Sequence, residues 1–540
     1  MKKLFFTLFS ISFATSAFAQ TAVDAYQLAP TDLRGTARFM SMGGAFTALG
    51  GDLSTLNQNP AGIGIYRKSE IGFSLDINMT SSDLETRSGT FNDSKTHAFC
   101  NNFGYVGAIS LDNEILKNFN WGVSYTRAAS FNRSYRMGRD GNYVTLTNSL
   151  SNYIASFTSG SPANLTDSDY PDKFNPYFDG NADWLSILAY QGSIISYNGH
   201  NGYYGLWNNN TRGDMYNIVR ERGYVDEYSI DFGGNLCDIV YWGVGFGITD
   251  ISLNQFYVYD EQLENASVPV GDLGSPIGGS AYGSGGYTLE SHKLITGSGF
   301  NFKTGVIVKP INELRLGIAV HTPTYYKLTQ EFKGYLDYGF DYDAGGYIEG
   351  NKGTEFGYFD WKLQTPWKLM LGAAGVIAGR GIISADYEYA AYDKMKISDR
   401  ADYYDYTAEN EDIKSYYKPQ HTVRLGAEYR VTPEFSIRAG YNIQKSAVEQ
   451  EAYDGLKQNG QTYEIITGGL NTSYSFDNKT DYITFGLGYR YKAFYVDMAY
   501  VHKTRESAYR TYTNYSNVIN FKNKLTTKED NIVLTAGFKF

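Results

Sequence analysis

The end of the chain constrains its fold more than any other stretch. Ile532, Leu534, Ala536, Phe538 and Phe540 share one face of an extended strand, and Val533, Thr535, Gly537 and Lys539 share the other. The same two-residue period recurs upstream. Phe494, Val496, Met498 and Tyr500 alternate with Tyr495, Asp497 and Ala499, and Ile483, Phe485, Leu487 and Tyr489 with Thr484, Gly486, Gly488 and Arg490. Phe435, Ile437, Ala439 and Tyr441 alternate with Ser436, Arg438, Gly440 and Asn442, and Val423, Leu425, Ala427 and Tyr429 with Arg424, Gly426, Glu428 and Arg430. A soluble sandwich alternates in the same way. The polar face separates the two, because it carries glycines and full charges in strand after strand, as a wet or plugged lumen requires.

The other end reads as an export signal. Lys2-Lys3 precede an apolar run from Leu4 to Phe13, and Ala17-Phe18-Ala19 offers a cleavage site, so a signal peptide is expected over 1–19. No cysteine follows that site, so a lipid anchor is not expected, and no later run approaches the about 18 apolar residues of a spanning helix. Aromatics make up 16% of the chain, with 49 Tyr and 58 Gly against 12 Pro. Tyrosine joins an apolar ring to a polar tip, which suits a membrane–water boundary. A net charge of −10 argues against a nucleic-acid partner. Cys100 and Cys237 make no disulfide framework; they either pair or stay as isolated thiols, and the second is the simpler reading. Together these features predict an all-β, transmembrane antiparallel β-barrel in a Gram-negative outer membrane.

The alternation places strands near 68–80, 95–110, 119–135, 225–237, 240–256, 291–309, 313–330, 357–378, 381–394, 420–432, 434–447, 480–491, 493–504 and 530–540, about fourteen in all. Links such as Lys309-Pro310-Ile311-Asn312, Gly379-Arg380-Gly381, Thr432-Pro433 and Tyr491-Lys492 are tight, and the intervening ones are long. Short periplasmic turns and long outer loops are the asymmetry of bacterial barrels. Both chain ends then fall on the periplasmic side, from which the N-terminal segment enters the lumen.

That segment, from Thr31 to Ile65, opens with a candidate helix cap at Thr31-Asp32 before Leu33, Ala37 and Met40. Gly43-Gly44 and Gly50-Gly51 break it up, and Asn59-Pro60-Ala61-Gly62 ends it in a turn. Alone it reads equally as a glycine-rich linker. Gly43-Gly44-Ala45 followed by Asn59-Pro60-Ala61 is similar, however, to the hatch of the FadL family of outer-membrane transporters. Leu314-Arg315-Leu316-Gly317 with His321-Thr322-Pro323, Ser384-Ala385-Asp386-Tyr387, and the strand pair Arg424–Tyr429 and Ser436–Tyr441 resemble recurring family strands. The form is one familiar from Bacteroidetes-type bacteria; the region 136–290 matches only by position.

The resemblance implies a hatch over 20–66 inside a fourteen-stranded barrel over 67–540, with a long extracellular loop at 136–224. It also implies passive transport of long-chain fatty acids or other hydrophobic compounds, captured at that loop and released through a kink in the third strand. The loop holds a stretch of roughly helical spacing, behind a cap at Asn181 or Asp183, so Trp184, Leu185, Ile187 and Leu188 become the candidate lining of a capture groove. Packing on other loops is the plainer alternative. In the third strand Arg127-Ala128-Ala129-Ser130 interrupts an aromatic alternation (Trp121, Val123, Tyr125), so Ala128 and Ala129 are candidates for the opening, or simply small lumen-facing residues.

Arg315, Asp386, Glu388, Arg424, Glu428, Arg430, Arg438, Arg490 and Asp497 are expected to face the lumen, since a charge facing lipid at the midplane costs ~2–4 kcal/mol. They would pair across strands and hold the hatch, with an arginine such as Arg315, Arg424 or Arg438 left to meet a carboxylate. The six histidines show no metal-ligand spacing, and no cofactor or metal site is expected. The acidic loop Asp402-Tyr403-Tyr404-Asp405 with Glu409, Glu411 and Asp412 reads as solvated rather than as a divalent-cation bridge to lipopolysaccharide. Gly283-Ser284-Gly285-Gly286 lies in a Gly/Ser insert and is no nucleophile signature, and no acid–base–nucleophile set exists, so an enzyme is not expected. The expected partners are hydrophobic molecules, membrane lipid and lipopolysaccharide, and the barrel-assembly machinery that reads a terminal aromatic; a monomer is expected. A surface barrel that only displays its loops is the competing function.

Overall fold

The computed structural model describes residues 20–138, 144–169, 173–200, 202–270, 279–343, 345–400, 405–457, 463, 465–513 and 522–540. The expected signal peptide, and Asp402, Tyr403 and Tyr404 of the acidic loop, lie outside the described residues. No described helix is long and apolar enough to cross a membrane.

Fourteen antiparallel strands close into a barrel: β1 (Glu70–Thr86), β2 (Gly89–Ser110), β3 (Leu116–Ser130, resumed at Arg133–Met137), β4 (Arg212–Leu236), β5 (Val240–Val270), β6 (Gly279–Ile311), β7 (Leu314–His321 and Tyr325–Tyr342), β8 (Gly357–Gln364 and Lys368–Ile377), β9 (Gly381–Ala390 and Lys396–Asp399), β10 (Gln420–Arg430), β11 (Phe435–Lys445), β12 (Tyr474–Tyr491), β13 (Phe494–Arg510) and β14 (Asn523–Lys539). Each pairs with its sequence neighbours, and β14 meets β1 from Glu70↔Lys539 to Glu85↔Lys524, which closes the sheet. Pro323 and Pro366 sit in the breaks of β7 and β8, where a missing N–H cannot serve a ladder. Outward-facing Ile71, Phe73, Leu75 and Ile77 on β1, Ile483, Phe485 and Leu487 on β12, and Ile532 and Leu534 on β14 belong to an exposed apolar belt. Water does not tolerate such a belt, and lipid does.

The strands run further toward the loop end than alternation suggested. β4 begins at Arg212 and β3 persists to Met137, so the loop expected at 136–224 is shorter at both ends. β1 and β2 meet in a tight turn, Thr86↔Gly89, where a long link was expected. The Gly283–Gly286 stretch lies within β6. Above the belt both faces of a strand can be polar, so the two-residue signal fades while the ladder continues.

Residues 20–66 fill the lumen. A helix over Ala22–Leu28 lies in its loop-end half, capped by Thr21 and Asp24, whose carboxylate accepts the Thr21 N–H at 3.0 Å. Alternation signals do not register so short a helix. The next helix, Ala37–Ser41, is capped by Thr36, whose hydroxyl accepts the Phe39 N–H at 3.1 Å, and not by Thr31-Asp32 as the sequence suggested. Asn59 and Pro60 then start a 3-10 turn over Pro60–Ile65 that leads into β1.

Candidate functional site

Two kinds of contact seat the N-terminal segment. Near the short-turn end, bare backbone meets bare backbone. Gly426, Gly440 and Gly486 lie on the inner faces of β10, β11 and β12, and a Cβ on Gly440 would stand 2.3 Å from the Gly43 nitrogen. Gly43 takes a left-handed φ of +64°, and a Cβ there would approach the Tyr441 and Leu425 carbonyl oxygens at 3.0 and 3.1 Å; Gly44 follows at +76°. Asn59 is fully buried. Its amide donates to the Thr47 carbonyl at 2.6 Å, and its side-chain oxygen accepts the Ala61 N–H at 3.1 Å.

The second kind is ionic. Arg34 meets Asp76 at 2.5 Å and Glu529 at 3.4 Å, and Lys503 bridges Glu529 (2.8 Å) to Asp32 (2.6 Å). Burial opposes the Asp32 charge, but the Lys503 ammonium and Arg34 guanidinium outweigh it and hold the carboxyl well below the usual range. Glu428 accepts from Arg38 at 2.9 Å and from Arg438 at 2.7 Å, and Arg438 continues to Asp497 at 2.6 Å. Arg315 donates to the Leu49 carbonyl at 2.7 Å, and Asp386 accepts the Thr47 N–H at 2.7 Å. Buried pairs of this kind fix a position more than they add stability, because removing either partner strands a charge. Within the expected lumen set, Arg430 and Arg490 keep the inward register, opposite Ser436 and Tyr495, but lie exposed at the short-turn ends of their strands and take no part in these buried pairs.

Between this segment and the wall lies a cavity of about 150 Å³. Leu28, Leu33, Phe39, Val225, Tyr326 and Met370 supply apolar lining. Lys303 is paired with Glu227, and Arg424 with Glu388 at 2.5 Å. Of Arg315, Arg424 and Arg438, Arg424 alone lines this cavity, and its Nη1 is buried without a hydrogen-bond partner. Sequence spacing puts all three arginines on inner faces but gives no means of telling which one borders empty space. A second cavity, of about 90 Å³, lies against Val23, Tyr26, Gln27 and the wall residues Arg133, Glu221 and Asp477. Pro30 and Asp32 border both.

The wall is interrupted beside these cavities. The β2–β3 ladder ends at Asn102↔Thr126, and above it β2 pairs with β1 alone while β3 pairs with β4. Register shifts flank the point on both strands, at Ser74/Leu75 opposite β2 and at Arg127/Ala129 opposite β4, and β3 breaks outright at Phe131 and Asn132. Such bulges bend a strand away from its partner. Ala128 lines the larger cavity and Ala129 the smaller. The N-terminal segment holds the bend from inside, the Asp32 N–H donating to the Ala128 carbonyl at 2.9 Å.

The loop end is roofed. The helix Trp184–Gln191 starts at Asp183, which accepts the Leu185 and Ser186 N–H groups at 2.8 and 3.3 Å. Trp184, Leu185, Ile187 and Leu188 are all buried, among Leu289, Phe332, Leu336 and Phe340 of the wall. Trp184 meets Phe332 edge-on at 4.9 Å. They therefore form the core of the roof and line no open groove in this structure, because the upper strands offer the helix an apolar surface that the sequence pattern did not reveal. Glu261 secures a second loop helix, Leu150–Phe157, accepting from the Leu150 N–H at 2.7 Å and the Tyr259 hydroxyl at 2.6 Å.

Among the described residues no group of three His, Cys, Asp or Glu side chains is placed to hold a metal. Asp405 accepts the Thr407 N–H at 3.0 Å just ahead of a helix over Thr407–Tyr416 that carries Glu409, Glu411 and Asp412. Cys100 and Cys237 are both free, on β2 and in the β4–β5 turn.

No protein-family model matches the chain, and neither does any curated protein. Solved structures do resemble it. The P. putida toluene transporter TodX is 13% identical over 94% of this chain and 99% of its own, with a TM-score of 0.48. A Pseudomonas aeruginosa FadL homologue is 13% identical over 97% and 100%, TM-score 0.47. The Ralstonia pickettii toluene transporter TbuX is 14% identical over 94% and 99%, TM-score 0.43.

Proposed function

We propose that this chain is an outer-membrane channel that carries hydrophobic molecules through the side of its barrel, as the resemblance to the FadL family implies. One observation supports this reading above the rest: the β2–β3 ladder stops where two lumen cavities meet the wall. Residues 20–66 act as the hatch, seated through Gly43, Gly44, Asn59, Pro60 and Ala61. An apolar cargo gains little from an aqueous route, whereas a gap leading to lipid keeps it out of water at ~25 cal/mol per Å² of apolar surface. Ala128 and Ala129 frame that gap.

A cavity of about 150 Å³ is the size that accepts a single benzene ring. Small arenes therefore fit the seated hatch, and a long-chain fatty acid requires residues 28–34 to move. Arg424, with its free Nη1, is then the arginine placed to meet a carboxylate. Trp184, Leu185, Ile187 and Leu188 serve capture by shaping the roof from within. Uptake of labelled toluene and of a labelled fatty acid should rise in cells carrying the protein, and Ala129→Trp should lower both while leaving the barrel assembled. Equal uptake with and without the protein would leave display of the roof loops as the function.

A further inference from the structure

The gap in the wall is not empty. Phe99 lies on β2 just above the last β2–β3 pair, on the inward face with Asp76 opposite it, and is half-buried. Two guanidinium groups lie over its ring. Arg34, from the N-terminal segment, stands 5.2 Å from the ring centroid. Arg127, from β3, stands 4.9 Å from it. Arg127 shares its strand face with Trp121, Val123 and Tyr125, the outward set, and is fixed there by Asp226 at 2.9 and 3.2 Å and by the Tyr224 ring at 4.9 Å. One ring is thus gripped by a cation from the lumen side and a cation from the outer side, at the place where strand pairing has stopped.

We propose that Phe99 sets the width and selectivity of the wall opening, and that Arg34 ties its position to the seating of the N-terminal segment. This rests on the lateral-transport reading. A cation held over a ring face favours one ring orientation, so the ring fills the gap while both arginines are in place. Arg34 is also the centre of the ion pairs with Asp76 and Glu529, so a cargo that displaces residues 30–34 removes the inner grip in the same movement. The opening then admits flat arenes more readily than bulkier apolar molecules.

Cys100, next to Phe99, provides a reporter that does not depend on transport. In the full chain with Cys237→Ser, reconstituted in bilayer vesicles, Phe99→Ala should speed alkylation of Cys100 by a small membrane-permeant maleimide at least about fivefold, the factor its two lost cation–π contacts are together worth at the low end of their range. It should also raise uptake of a naphthalene-sized hydrocarbon relative to a benzene-sized one by about the same factor. Phe99→Leu keeps an apolar side chain without a ring face and should behave as Phe99→Ala, while Phe99→Trp should shift both readouts the other way. Unchanged alkylation and unchanged size preference in a heat-modifiable Phe99→Ala or Phe99→Leu barrel would overturn the assignment. If alkylation rises and no variant, nor the parent, takes up hydrocarbon, Phe99 closes the gap and the transport reading fails.

Discussion

Asn59→Ala separates the hatch from the barrel most cleanly. The substitution removes the donor to the Thr47 carbonyl and the acceptor for the Ala61 N–H, both in a fully buried setting. Each stranded backbone group costs ~1–3 kcal/mol, so together they cost about 2–6 kcal/mol. Most of it falls on residues 47–61; the one bond Asn59 sends to the wall, to the Ile318 carbonyl, is long at 3.5 Å, and that carbonyl belongs to a strand already paired on both sides. At about 1.4 kcal/mol per tenfold, the unseated population should rise at least about thirtyfold. A cysteine replacing buried Thr55 in a background lacking Cys100 and Cys237 reports on seating. Its labelling should accelerate by that factor in the Asn59→Ala protein, with heat-modifiability of the barrel unchanged. Equal labelling rates would show that Asn59 does not seat the segment, and a collapsed barrel would show that the two parts are not separable.

Three further outcomes follow from the same geometry. Gly43→Ala should unseat the segment by the same labelling assay, since a left-handed φ costs ~1–2 kcal/mol for an L-residue and the new Cβ meets two carbonyl oxygens at 3.0 and 3.1 Å. Leu188→Asp should make the roof loops protease-sensitive while leaving the belt and heat-modifiability intact, because it puts a carboxylate in a fully buried apolar site. Burial pushes the Asp183 carboxyl up to about 6, with the Leu185 and Ser186 N–H groups pulling the other way. A raised value means that its contribution is complete below the ordinary carboxylate range and is lost as pH rises through about 6. Roof protection from protease should therefore fall between pH 4 and 7, and Asp183→Asn should flatten that profile.

The belt was legible because lipid imposes a strict alternation: Ile483, Phe485 and Leu487 point outward as their spacing required. The strands above it were not, since Arg212–Tyr224 pairs with β5 and with the upper part of β3 where no lipid dictates which face is apolar, so charges and core residues mix along it. The hatch was legible through Gly43-Gly44 and Asn59-Pro60, positions where a special φ or a buried amide restricts the residue type. The helix over Ala22–Leu28 has no such restriction, and its place depends on Tyr392, Tyr417 and Phe476, far away in sequence. The fate of Trp184 and Leu188 turned on the same problem: helical spacing identifies an apolar face and does not identify what covers it. Phe99 left no trace at all, because a gap in a ladder depends on two register shifts that no local pattern records.

The two modes of seating divide the N-terminal segment into a fixed and a movable part. From Ser41 to Ile65 the chain lies against glycine-bare strands, so any displacement must open voids along several strands at once. From Pro30 to Arg34 it is held by ion pairs, with open space on both sides. Charged pairs can re-form with a cargo headgroup or with water, and packed backbone cannot. The shorter stretch is therefore the one that yields first, and its movement has three consequences at once. It joins the two cavities that Pro30 and Asp32 now divide, frees the Ala128 carbonyl at the bend of β3, and lifts Arg34 from the Phe99 ring. Under the lateral-transport proposal, a segment held in this way would open a side passage without leaving the barrel, while the lower, glycine-seated part would keep water from following.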